Sequence, residues 1–131
     1  MAKITEEMKA MVKGQQAYVA TATPDGVPCV APKGTFAILD DEHIIYSEIA
    51  GKHTWENVQK NPKVAIIAGD ISKMQCLRFS GPAEIITEGE LVEKGKAQME
   101  KMGMPAPKAV IKVKVEEIYD CGVPAMGKKL G

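Results

Sequence analysis

The run Gly51-Lys52-His53-Thr54 sets a small residue, two basic side chains and a hydroxyl directly ahead of a segment with helical spacing. The first turn of a helix exposes backbone N–H groups that have no intrahelical partner, and the aligned peptide dipoles leave that end partly positive. An ammonium, an imidazole and a hydroxyl added there suit an anion, above all a phosphate. Gly51 would let the backbone come close to it. The same four residues also read as a helix capped by Thr54 with a solvated lysine beside it. Spacing alone does not separate the two.

Other reactive residue types are sparse. His43 and His53 are the only histidines, neither in an HExxH, and the cysteines Cys29, Cys76 and Cys121 form no CxxC. No metal centre is therefore expected. Three cysteines far apart do not make a disulfide scaffold, and they point to a reducing cytoplasm. Cys76 reads as a buried, inert thiol in an apolar strand. Asp40, Asp41 and Glu42 read as turn residues rather than a general-acid pair. Eight methionines read as core filler. Lys33, followed by Gly34, is unusual in a strand: it is either a solvated edge residue or a charge placed where a ligand meets the backbone. No residue stands out as catalytic.

The whole chain narrows the function further. At 131 residues it has the length of one domain, taken here as residues 1–131. Seventeen Lys and Arg balance seventeen Asp and Glu, so the basic excess of a nucleic-acid binder is missing. No apolar run is long enough to span a bilayer, and "MAKITEEMKAMVKG" is amphipathic without a signal-peptide core. A cytoplasmic protein without membrane or nucleic-acid partners is expected. Its near-zero net charge gives little repulsion between copies and is compatible with a specific oligomer.

The elements that must position these residues follow from periodicity and turn chemistry. Ile4, Met8, Met11 and Val12 share a helical face, with Thr5 at its start and Gly14 at its end. "QAYVATA" reads as a strand, "TPDG" as a hairpin turn and "VPCVAPKGTFAIL" as one return strand. Pro28 and Pro32 make that return strand an edge or an irregular one. "HIIYSEI" is a third strand. A short helix capped by Thr54 carries Trp55 and Val58 on one face and ends at Asn61-Pro62. "KVAIIAG" is a short apolar strand. "MQCLRFSGPAEIIT" is a longer one, with a bulge or bend at Gly81-Pro82. Thr87 and Glu90 read as a capping box for a helix presenting Leu91, Gly95, Met99 and Met102. Ala109, Ile111, Val113 and Val115 alternate in a last, half-buried strand. The tail from about residue 122 reads as mobile. Six strands joined mainly by hairpins, with short flanking helices, predict a mainly β protein, an antiparallel split β-barrel of Greek-key type.

Taken in order, "YVATATPDGVP", "CVAPKGTF", "HIIYSEI", "GKHTWENVQKNP" and "KVAIIAG" resemble the FMN-binding split-barrel family. This is the group of pyridoxamine 5'-phosphate oxidase-like proteins and small bacterial FMN-binding proteins. The resemblance covers roughly residues 16–87 and implies FMN as the cofactor, with Lys52, His53 and Thr54 holding its phosphate. It places Val30, Ala31, Pro32 and Lys33 beside the isoalloxazine ring, and Tyr46 and Ser47 along the ribityl chain or phosphate. Gln75 or Cys76 would lie near the flavin across a dimer interface, because family members are homodimers with flavin bound between subunits. The implied activity is electron or hydride transfer with a small-molecule redox partner or a nicotinamide donor. The same resemblance admits a non-catalytic flavin carrier, or a relative that binds another phosphate-bearing ligand. Two departures stand out: Lys52 replaces the usual arginine, and His53 stands where lysine or serine is common. The arginine- and histidine-rich substrate segment of a true pyridoxamine 5'-phosphate oxidase is missing, so that activity itself is not expected.

Overall fold

The computed structural model describes residues 2–123, 125 and 127–131. Helix α1 (Glu6–Val12) starts where expected: the Thr5 hydroxyl accepts from the Met8 N–H at 3.2 Å, and Glu6 and Glu7 sit at the positive helix end. Strand β1 (Ala17–Ala22) buries Ala17, Val19 and Thr21 and turns Tyr18 and Ala20 outward. At the hairpin the Thr23 hydroxyl accepts from the Val27 N–H at 2.9 Å and donates to Asp25 at 2.7 Å.

The return segment is two strands, not one. β2 (Pro28–Pro32) pairs with β1, whereas β3 (Ala37–Ile38) pairs with β4 (His43–Glu48) in the other half of the sheet. The chain crosses between the halves at Lys33-Gly34-Thr35, just where the lysine looked out of place. As expected for a strand with two prolines, β2 lies at the sheet edge.

After β4 comes α2 (His53–Lys60), then β5 (Lys63–Asp70), a short 3-10 turn (Ile71–Lys73), β6 (Gln75–Ile86) and α3 (Glu90–Lys101). β7 (Ala109–Lys114), β8 (Glu117–Asp120) and β9 (Lys128–Lys129) complete the chain. The strand order is β2-β1-β5-β6-β7-β4-β3, all antiparallel, with β8 added to β6 and β9 to β8. The nine strands among the described residues replace the six expected, because the return strand is split and β8 and, in the tail, β9 follow the last expected strand. The expected mobile tail covers Pro124 and Met126, which lie outside the described residues. Beyond them Lys128 and Lys129 pair with β8, and the Ile118 N–H donates to the Gly131 carbonyl at 2.9 Å.

β6 joins the halves. Its first part pairs with β5 and β8, and from Ala83 it pairs with β7. The change of partner falls at the expected bend, Gly81-Pro82. A side chain at Gly81 would run into the Lys114 carbonyl, so only glycine allows that approach. The curled sheet encloses Val19, Ile44, Tyr46, Ile66, Phe79 and Ile111 with Val12 of α1 and Val58 of α2. Each such side chain contributes roughly 1.5–3 kcal/mol on burial.

Two helix starts differ from expectation. α2 is capped at Lys52 with no side-chain hydrogen bond, which puts Thr54 inside the first turn. α3 begins after Gly89, also without a side-chain cap, so the Thr87–Glu90 capping box does not form. The buried stripe of α3 is Val92, Gly95 and Met99, while Met102 is exposed. Among the described residues no helix is long and apolar enough to cross a membrane.

Candidate functional site

Strand alternation brings Ile44, Tyr46 and Glu48 to the inner face of β4, so the strand ends on a carboxylate that is 0% exposed. A buried carboxylate needs a counter-charge and hydrogen bonds. Lys33, at the end of β2, supplies its ammonium 2.8 Å from Glu48 Oε1. The Thr54 hydroxyl donates to the same carboxylate, 3.1 Å from Oε1. Gly51 closes over this triad: a Cβ there would collide with the Glu48 carboxylate and come within 2.6 Å of Thr54 Oγ1 and 3.0 Å of Lys33 Nζ. The loop is held from outside by Lys108, whose ammonium donates to the Gly51 carbonyl at 3.3 Å.

This arrangement divides the expected phosphate cluster. Lys52 and His53 stand exposed at the start of α2. Thr54 is turned inward, and its hydroxyl is committed to Glu48 rather than offered to a ligand. Docking of α2 fixes that orientation, through Asn57 Nδ2 donating to Thr21 Oγ1 at 3.1 Å and Asn61 Nδ2 to the Ala22 carbonyl at 3.3 Å. Lys33 is likewise ion-paired and buried, not a solvated edge residue.

Tyr46 and Ser47 are also buried, and neither presents an exposed side chain to a ligand. The Tyr46 ring lies below Lys33, 5.6 Å from its ammonium to the ring centre, and its hydroxyl is the one buried side-chain polar atom without a partner among the described residues. Burial, and then the nearby Glu48 charge, push its phenol well above the ordinary range. The backbone of Ser47 is tied to Thr35, with the Ser47 N–H donating to Thr35 Oγ1 at 2.9 Å.

The expected ring-facing residues occupy the same end of the sheet. Val30 is 68% exposed, Pro32 is exposed and Ala31 is half-buried. Across the ladder Tyr18 lies opposite both Pro32 and Ile67, and Ala20 lies opposite Val30. They form an apolar outer face with Tyr18 at its centre. Beyond it lies a crevice of about 500 Å³ whose wall includes Tyr18, Gly69, Met74, Gln75 and Cys76. Cys76 is half-buried there, not sealed in the core as expected. The crevice takes in Gln75 and Cys76 but not Lys33, Lys52, His53 or Thr54. The sequence reading missed Glu48, Tyr18 and Lys108. Of these, Glu48 had a legible signal, since period-two alternation from Ile44 and Tyr46 points it inward.

Comparison with known proteins settles the family. The profile of the pyridoxamine 5'-phosphate oxidase family matches residues 4–122. The chain belongs to that family. An uncharacterised protein of Methanocaldococcus jannaschii, MJ0282, is 32% identical over 122 residues, 90% of this chain and 80% of the relative. The crystal structure of HupZ from Group A Streptococcus superposes with a TM-score of 0.86 at 36% identity, covering 98% of this chain and 99% of that one. An FMN-binding protein from Syntrophomonas wolfei shares the fold, with a TM-score of 0.71 at 17% identity over 82% of this chain and 77% of that one. The pyridoxamine 5'-phosphate oxidase-like split barrel expected from the sequence is therefore the fold of this protein.

Proposed function

We propose that this member of the pyridoxamine 5'-phosphate oxidase family is a cytoplasmic, homodimeric FMN-binding flavoprotein that transfers electrons or hydride between small molecules. One observation carries the reading. The exposed ammonium of Lys52 and imidazole of His53, at the start of α2, lie at the same sheet end as the apolar face of Val30, Pro32 and Tyr18. The link between them is direct, because Lys33 follows Pro32 and shares Glu48 with Thr54. A helix end with an ammonium and an imidazole suits a phosphate, and an apolar face with free backbone at its edge suits a planar ring.

Lys52, His53 and the N–H groups of α2 hold the phosphate in this reading. Val30, Ala31 and Pro32 face the ring, and Lys33 with Glu48 fixes the loop between the two. The crevice of one chain and the phosphate end are separate within a single copy. In the homodimer we propose, a second copy lays its Gln75 and Cys76 over the Val30–Lys33 strand and brings both to one flavin. The bound flavin supplies the redox chemistry, and the protein binds and orients it.

Titration of the purified protein with FMN, followed by flavin fluorescence and light scattering, tests this. Saturable quenching by a dimer is expected. Unchanged FMN fluorescence would remove flavin from the function, and an FMN-loaded monomer would remove the shared site.

A further inference from the structure

Cys76 begins the second residue of β6, and its neighbour across the ladder is another cysteine. Leu77 pairs with Asp120 in the β6–β8 register, so the next rung places Cys76 opposite Cys121. The backbone confirms this: the Cys121 N–H donates to the Cys76 carbonyl at 3.0 Å, and the Val123 N–H donates to the Met74 carbonyl at 3.1 Å two residues on. Directly opposed residues of an antiparallel pair project from the same face, with Cα atoms about 5.5 Å apart on a hydrogen-bonded rung. That lies inside the roughly 4.4–6.8 Å that a disulfide bridges.

Both thiols are free and half-buried, and both line the crevice beside Tyr18 and Met74. The third cysteine, Cys29, is on edge strand β2 and outside it. The rung lies one residue beyond the end of β8, just before the chain turns at Gly122.

We propose that Cys76 and Cys121 are a redox-active dithiol that closes to a disulfide on the crevice wall by exchange with a low-molecular-weight disulfide. One cysteine thiolate attacks a sulfur of the incoming disulfide. The S–S bond breaks, a mixed disulfide forms, and the first small thiolate leaves. The second cysteine, as its thiolate, then attacks the protein sulfur of that mixed disulfide and releases the second small thiolate. Two cysteine thiols are oxidised, one small disulfide is reduced to two thiols, and the two cysteine protons end on the released thiolates.

Burial raises the Cys76 thiol above its ordinary range, and neighbouring Cys121 and Asp120 raise it further, so the attacking thiolate is a minor form and exchange quickens as pH rises. A disulfide on the crevice wall stays within reach of a small thiol, which reopens it. The exchange needs the crevice open, so it belongs to the flavin-free protein, and a failure of flavin binding leaves it untouched.

The test is to incubate the reduced full-length protein with oxidised glutathione, block remaining thiols with N-ethylmaleimide, and map the products by mass spectrometry. The expected result is a fall from three blockable thiols to one, Cys29, with a Cys76–Cys121 linked peptide pair that dithiothreitol reopens. In Cys121→Ser, Cys76 is expected to keep a glutathione instead. Cys29→Ser is expected to close as the native chain does. Three thiols still blockable, or separate glutathiones retained on Cys76 and Cys121 of the native chain, would overturn the proposal.

Discussion

Lys33, the residue after β2, and Glu48, the last residue of β4, are fifteen residues apart and meet with 2.8 Å between Nζ and Oε1 in a site where Glu48 is fully buried. The pair joins the two halves of the sheet at the point where the chain crosses from β2 to β3. Removing one member leaves a buried charge without its partner, which typically costs about 3–5 kcal/mol. We expect Lys33→Met to lower stability by that order in urea denaturation at neutral pH. Lys33→Met/Glu48→Leu should recover most of the loss. A double variant no more stable than the single one would show that the pair acts through something other than its charges.

Gly51 is required by packing rather than by backbone conformation. A methyl group there collides with the Glu48 carboxylate and crowds Thr54 and Lys33. Gly51→Ala should cost about 1–3 kcal/mol, as overpacking does. Gly34→Ala, with nothing within 4 Å of the added carbon, is the matched control and should unfold close to the native temperature. Equal melting temperatures for the two variants would refute the packing argument.

Tyr46 carries a buried hydroxyl with no partner, so Tyr46→Phe should be neutral or up to about 1 kcal/mol more stable at pH 7. The pH dependence has a definite sign. The folded phenol holds its proton beyond the ordinary range, while the unfolded chain releases it near pH 10. The unfolded state therefore binds fewer protons above that pH, and stability falls as pH rises. Denaturation at pH 9 and pH 11 should show a smaller fall for Tyr46→Phe than for the native protein. Parallel curves would mean that the hydroxyl finds a partner or reaches water.

Lys52 is the cation of the phosphate cluster that remains both exposed and outside the buried triad. We expect Lys52→Ala to weaken FMN binding roughly tenfold and leave riboflavin binding unchanged, since only FMN offers a phosphate for a charge-assisted contact. Thr54→Ala should mainly reduce stability, because its hydroxyl serves Glu48. Fluorescence titrations with both ligands check this. An equal loss for FMN and riboflavin in Lys52→Ala would refute the phosphate assignment.

Much of this protein was legible along the chain because its signals are local. Thr5 caps α1, Thr23 through Gly26 make the hairpin, and Asn61-Pro62 ends α2, each through groups within a few residues of one another. Period-two alternation marked β1, and the order of motifs identified the family. The breaks in that reading fall where a distant partner outweighs a local preference. Thr54 has the chemistry of a cap, yet buried Glu48 takes its hydroxyl, and the helix begins two residues earlier without a side-chain cap. "VPCVAPKGTFAIL" has the composition of one strand, but its ends find partners in opposite halves of the sheet and it divides at Lys33. The polar tail carries no strand pattern; β8 offers it an unpaired edge, and it becomes β9. Cys76 and Cys121 are forty-five residues apart, and only the β6–β8 register sets them on one rung. Sequence by itself determined the local turns, caps and alternations, because those energies act between near neighbours. Tertiary structure decided which buried charge, strand edge or thiol each residue meets, because desolvation and hydrogen bonding are settled by whatever the fold brings alongside.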